Sequence, residues 1–318
     1  MAGNEKLNSF ALQDPLLTGW IGTQPPDETR RIATRLAPPA RVYTRTFNYA
    51  KFGKENQRKQ SRNLRRPLGG NFEKMTGLQR TKVPGYVEEK GLEASLDRRE
   101  VTDAINGAGP NAGDAVFDLR TSTTFATKSQ VMNGHEYESS VKLQDPANYG
   151  ANHVAQIANF SAAGVRKWLF NLKTTVRQRA NIAPNTLYLA ENIYYEAIEN
   201  SDIRKQFPVR DVPIGEAELA EYFRVKEIII GGDHVLDDAD APIELWQNTA
   251  ILFYNNPAAG LRGATFAKTF FAHFDNNLPY YVSSNFDKNQ NEELVYAEQY
   301  SPDGCEITFA DSAILIHA

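Results

Sequence analysis

Asp233, His234, Asp237, Asp238 and Asp240 crowd four carboxylates and an imidazole into eight residues, a set of hard donors that would suit a divalent cation. The spacing lacks the glycine and the terminal glutamate of an EF-hand loop, and an exposed, solvated acidic loop is the preferred reading. Gly107-Ala108-Gly109-Pro110-Asn111-Ala112-Gly113 could in principle bring backbone amides against a pyrophosphate. Its spacing is G-x-G-x-x-x-G with a proline inside, and no strand leads into it. No acidic residue closes a second strand about 20 residues on, as a dinucleotide site requires. A link before a helix that has Asp114 or Asp118 near its N-terminus explains it better. His135, His153, His234, His273 and His317 form no H-x-x-H or H-E-x-x-H pair. Cys305 is the one cysteine, which excludes an intramolecular disulfide and a paired-cysteine zinc site; its strand-like surroundings point to a small buried side chain. Nucleophile-elbow and Walker A patterns are missing as well. The expectation is a protein that is no enzyme and has no cofactor or metal.

A different chemistry is written in the segment from Arg41 to Arg66. Arg41, Arg45, Lys51, Lys54, Arg58, Lys59, Arg62, Arg65 and Arg66 stand against Glu55 alone, a net +8 over 26 residues. Tyr43, Phe47, Tyr49 and Phe52 interleave them. Such a run can neutralise phosphates and stack on bases, or it can dock on an acidic protein surface. The charge along the whole chain is lopsided as well. Residues 1–179 hold 27 Lys or Arg against 17 Asp or Glu, whereas residues 180–318 hold 8 against 22, so a +10 half faces a −14 half. These halves should attract, within or between subunits.

The elements that would position these charges begin with an extended arm over residues 1–40, rich in proline and poor in periodicity. Two β-prone pieces follow, Arg41 to Phe52 and Asn71 to Val87, with the Gly69-Gly70 bend and a polar basic stretch between them, which predicts a protruding hairpin. Leu92 to Ile105 and Asp114 to Tyr137 read as helices, the second weakened by Thr121, Ser122, Thr123 and Thr124. Val165, Trp168, Leu169, Leu172 and Val176 recur at helical spacing. Ala183 to Ala190 reads as a turn followed by a short apolar strand, then comes a helix with Ile193, Tyr194, Ala197 and Ile198. Strands are expected at Val225 to Gly232 and Thr249 to Tyr254. Beyond Asn256 the chain reads as strand-rich, with a turn at Ser301-Pro302-Asp303-Gly304 and a buried apolar run from Ala313 to Ile316.

With 318 residues, 41% hydrophobic and 23% charged, the chain has the bulk of one large or two modest globular domains. No apolar run approaches the roughly 18 residues that span a bilayer, and residues 1–20 lack a basic start followed by an apolar core. A cytosolic product without membrane contact is expected.

Pro184-Asn185-Thr186-Leu187, Ile229-Ile230-Gly231 and Trp246 to Tyr254 follow one another in an order that resembles the major capsid proteins of tailed bacteriophages, which share the HK97-like fold. Gln247 stands where that family often has glycine. The resemblance covers about a third of the chain. It implies an α+β fold with an N-terminal arm (1–40), an extended E-loop hairpin (41–90), a P-domain with a long spine helix (91–160) completed by C-terminal strands (286–318), and an α/β A-domain (161–285). The function it implies is self-assembly, as hexamers and pentamers, into an icosahedral phage head around double-stranded DNA. Partners would be other copies of the chain, non-specifically bound packaged DNA, and portal, scaffold and decoration proteins, in a virion capsid assembled in the host cytoplasm. In that setting Lys51, Lys54, Arg58, Lys59, Arg62, Arg65 and Arg66 of the E-loop would contact a neighbouring subunit. The family's crosslink joins an E-loop lysine to a neighbour's asparagine beside a buried glutamate. Lys51, Lys54, Lys59 and Lys74 lie in the right segment, yet no asparagine or glutamate here matches, so noncovalent assembly is expected. An encapsulin-like shell around an enzyme cargo shares the fold and is the alternative; a soluble nucleic-acid-binding protein is the further one.

Overall fold

Thr186–Ala190 (β6), Thr249–Phe253 (β10) and Ala313–His317 (β15) are short apolar runs buried along nearly their whole length. Strands so apolar on both faces need cover on both sides. In the computed structural model, which describes residues 16–19, 31–53, 81–109, 112–207, 214–232, 234–236, 241–273, 278–286 and 291–318, they form the middle of a five-stranded sheet ordered β5-β15-β10-β6-β7. His153–Ala155 (β5) and Glu227–Gly231 (β7) are its edges.

Ala33–Leu36 is α1, Arg98–Ala108 is α2, Ala112–Gln144 is α3, Val165–Ala180 is α4, Glu191–Glu199 is α5, Ser201–Arg204 is α6 and Glu216–Phe223 is α7. Helix α4 buries Val165, Leu169, Leu172, Val176 and Ala180, one stripe at i, i+4, i+7 spacing, and ends at Asn181 in the left-handed conformation (φ 55°). It packs on the β15 side of the sheet, while α5 and α7 pack over β6 and β7. The parallel pair β6 and β7 needs a crossover, which α5, α6 and α7 supply. Phe160 joins this layer: its ring meets Trp168 of α4 at 5.4 Å and Phe223 of α7 at 6.4 Å.

A second sheet holds Pro39–Val42 (β1), Ala267–Ala272 (β11), Glu292–Tyr300 (β13) and Tyr280–Phe286 (β12), with Glu88–Leu96 (β4) on β13 and Glu306–Ile307 (β14) on β11. Strand pairing links distant parts of the chain. β11 and β12 belong to this sheet, whereas β15, later in the chain, sits between β5 and β10 in the other. Residues 92–96, expected as helix, are strand, because β4 pairs with β13 from Glu88↔Tyr300 to Leu96↔Glu292. The helix starts only after Asp97, whose side chain accepts the Arg99 N–H.

Helix α3, 33 residues and about 50 Å long, runs past the expected Asp114 to Tyr137 at both ends. Its buried stripe is mostly polar: Thr121, Thr124, Thr127, Val131, His135, Ser139 and Leu143. Thr121, Thr123, Thr124 and Thr127 bond carbonyls three or four residues back, which lets a threonine-rich stretch remain helical. The arm expected over 1–40 leans on its own chain where it is described. Leu17 is buried beside Leu96, Val131 and Val282, and Ile32, Ala33 and Leu36 enter the main core.

Candidate assembly surface

Thr46–Lys51 (β2) and Thr81–Tyr86 (β3) pair antiparallel from Thr46↔Tyr86 to Lys51↔Thr81, forming the stem of the expected hairpin. They make a two-stranded sheet of their own, and such a ribbon is marginal unless it lies on something. Its root does. The rings of Phe47 and Tyr49 pack tilted against Phe270 at 4.8 and 5.0 Å, the Phe52 N–H donates to the Thr308 carbonyl at 2.9 Å, and Arg45 pairs with Glu89 at 3.0 Å. Pro84 lies in β3, where an edge strand tolerates a missing donor. Lys51 is exposed at the end of β2. Lys54, Arg58, Lys59, Arg62, Arg65 and Arg66 lie outside the described residues, in the chain between the two strands.

The hairpin root is wired to α3 through charged groups. The Tyr49 hydroxyl donates to Glu306 at 3.3 Å, and Lys142 of α3 reaches both Glu306 (3.1 Å) and Asp303 (3.0 Å). Burial would lower the Lys142 pKa, but the two carboxylates outweigh it and the net shift is upward. One turn earlier, Lys90 meets Glu138 at 2.5 Å and lies over the Tyr300 ring at 4.6 Å. Burial pushes the Glu138 pKa up despite that lysine. Arg120 holds the buried Glu292 at 2.8 Å, and Ser284 donates to the same carboxylate. Glu306 thus bridges the hairpin root to the long helix, while the Lys90 and Arg120 pairs tie β4 and β13 to it.

The remaining sequence candidates separate. The glycine-rich segment links α2 to α3, and what precedes it is a helix, so no strand-loop-helix cradle forms; Gly109 has φ 56°. Asp233, Asp237, Asp238, Asp240 and the His234 side chain lie outside the described residues. Among the described residues no group of three or more His, Cys, Asp or Glu could hold a metal ion. Cys305 is buried, and burial raises its thiol pKa to about 12, which leaves a poor nucleophile. One histidine pair was not legible in the sequence. His153 and His317 stand close across β5 and β15, Nδ1 to Nε2 3.3 Å, because parallel pairing sets His153 opposite Leu315, two residues before His317. Only the sheet order could have revealed it.

No family model matches the sequence, and no curated protein matches it. Solved structures do match. A phage-related protein from Bordetella bronchiseptica RB50 superposes with a TM-score of 0.72 at 19% identity, over 96% of this chain and 97% of that one. A protein assigned as the capsid protein of a prophage in Escherichia coli CFT073 gives 0.59 at 8% identity, over 96% and 99%. The virus-like particle from Pyrococcus furiosus gives 0.50 at 12%, over 98% and 99%. The chain has an α+β, HK97-like fold along its length.

Proposed function

We propose that this protein is the shell subunit of a phage head, assembling as hexamers and pentamers into an icosahedral shell around double-stranded DNA. The observation that carries the reading is the hairpin: a two-stranded ribbon, anchored at its root by Phe270 and Thr308, whose connecting chain bears most of the +8 run. A two-stranded ribbon is marginal by itself and gains stability by lying on another copy. Exposed Tyr43 and Tyr86, 73% and 52% accessible at the stem, fit such a contact. The acidic half, residues 180–318 at −14, is the matching surface. Many weak contacts per subunit then add to a closed shell. Packaged DNA would be met non-specifically through its phosphates, and portal, scaffold and decoration proteins would be the further partners. No catalytic step, cofactor or metal belongs to this reading, and assembly would take place in the host cytoplasm.

Negative-stain electron microscopy of the purified protein tests it. Closed particles tens of nanometres across support the reading, and a chain that stays monomeric at every concentration and salt level refutes it. The contents then decide between shells: double-stranded DNA in particles from infected cells supports a phage head, and a protein cargo in its place an encapsulin-like compartment.

A further inference from the structure

The helices that pack on the five-stranded sheet are polarised by charge. Helix α4 carries Arg166, Lys167, Lys173, Arg177 and Arg179 with no acidic residue. Helices α5 and α7 each carry three glutamates and no basic residue: Glu191, Glu196 and Glu199, and Glu216, Glu218 and Glu221.

Two concave sites of opposite sign sit at the ends of α5. Where β6 and β7 end and α5 begins, a cavity of about 220 Å³ is lined, among the described residues, by Glu191, Asn192, Tyr195, Gly232, Glu244 and Trp246, two of them carboxylates. The Glu191 carboxylate lies so close over Gly232 that a Cβ there would meet it at 2.1 Å, and it accepts the hydroxyl of Tyr195, a ring 53% exposed at the rim. At the other end of α5, a wider hollow of about 460 Å³ is lined by Arg166, Lys167, Phe170, Asp202, Lys205 and Tyr222. Asn200, the last residue of α5's cap, fixes this end by donating to the Phe160 and Ala162 carbonyls just before α4. Asp202 accepts the Gly164 N–H at 2.7 Å and lies 3.8 Å from Lys205, so one carboxylate stands against Arg166, Lys167 and Lys205 and the hollow keeps a net positive charge. The cations crowd one another. Arg166, Lys173 and Arg224 all lie within 6 Å of the Phe170 ring, and the Arg166 Nε is buried without a hydrogen-bond partner. Burial first, then the Arg224 charge, lower the Lys173 pKa.

Helix α5 alone keeps the two hollows roughly 13 Å apart, so they cannot meet within one copy. Resting on the shell reading, we propose that they meet between copies: the cationic hollow of Arg166, Lys167 and Lys205 docks on the acidic cavity of Glu191 and Glu244 of the next subunit. A contact between two different surfaces of the same chain, opposite in charge, is heterologous, the kind that makes a ring when its rotation closes. This contact is separate from the hairpin's.

A charge-swap cycle tests it, read by the protein concentration at which particles appear in light scattering and electron microscopy, with circular dichroism melts checking each fold. Lys167→Glu/Lys205→Glu and Glu191→Lys/Glu244→Lys each place like charges together and should raise that concentration about tenfold or more. Neutral Glu191→Gln/Glu244→Gln should have an intermediate effect. The quadruple variant restores opposite charges and should assemble near the wild-type concentration. Wild-type particles together with unaffected double variants, or a quadruple variant no better than the doubles, overturn this contact and leave the shell reading intact. A wild-type chain that never assembles overturns both.

Discussion

Glu136 of α3 accepts the indole N–H of Trp246 at 2.8 Å, and the same carboxylate accepts the backbone N–H groups of Ile32 and Ala33 at 2.9 and 3.0 Å. One buried side chain therefore ties the long helix to the arm before α1 and to the turn before β10. Glu136→Ala would strand three buried donors at once. A loss of about 3–5 kcal/mol is expected. Glu136→Gln keeps one acceptor oxygen and should lose less. Urea unfolding followed by tryptophan fluorescence measures both, and an alanine variant within 1 kcal/mol of wild type would contradict the role given to this carboxylate.

His135, one residue earlier, is buried between Phe271 and Tyr300, and its Nε2–H donates to the Gly304 carbonyl at 3.1 Å. Burial lowers its pKa to about 4; the Gly304 bond opposes that shift and Lys90 adds to it. Between pH 6.5 and 4 the unfolded chain then binds a proton that the folded chain refuses. Stability should fall with pH across that window, by roughly 3 kcal/mol in all. His135→Gln should flatten this part of the pH–stability curve. Unfolding midpoints at pH 7, 5.5 and 4.5 give the comparison, and equal slopes in the two proteins would exclude His135 as the source.

Gly304 shows why the turn after β13 takes a glycine. Its φ is 74°, and a Cβ would sit 2.4 Å from the Ser139 hydroxyl and 2.6 Å from the Ser139 backbone nitrogen on α3. Gly304→Ala meets left-handed strain and a backbone clash together, for a loss of about 3 kcal/mol. The shift in unfolding midpoint reads it directly. Gly113→Ala, at a helical position with nothing within 4 Å, is the matched control and should be neutral or slightly stabilising.

How much of this was legible follows from how local each signal is. β6, β10 and β15 could be read because a fully buried strand is a short apolar run, and α4 because its stripe keeps the helical period. β4 could not. Its helix-like composition yields to nine residues of pairing with β13, a partner about 200 positions away, and Gly91 lies so close to Tyr296 that a Cβ would meet its carbonyl at 2.7 Å. Only the middle of α3 was visible, since its buried stripe is threonine, serine and histidine. Of the candidate surface, the charge asymmetry was plain in the sequence. What was hidden is that Asn200 and Gly232 set two hollows of opposite sign at the two ends of α5.

The basic chain between β2 and β3 gives the sharpest test of charge-driven assembly. Reversing Arg62, Arg65 and Arg66 to glutamate changes the 41–66 run from +8 to +2, and all three positions lie beyond the stem that Phe47, Tyr49 and Phe270 hold. The fold should therefore survive, with an unchanged circular dichroism spectrum and melting temperature, while particles fail to form at about 0.1 M salt. Wild-type assembly should weaken as salt rises toward about 1 M, where the screening length shrinks from roughly 10 Å to 3 Å. If the run bound only packaged DNA, empty shells of the triple variant would still assemble and only DNA retention would fall. Normal empty particles from the triple variant would thus move these arginines from the subunit contact to the DNA, and their loss keeps them at the neighbour's acidic surface.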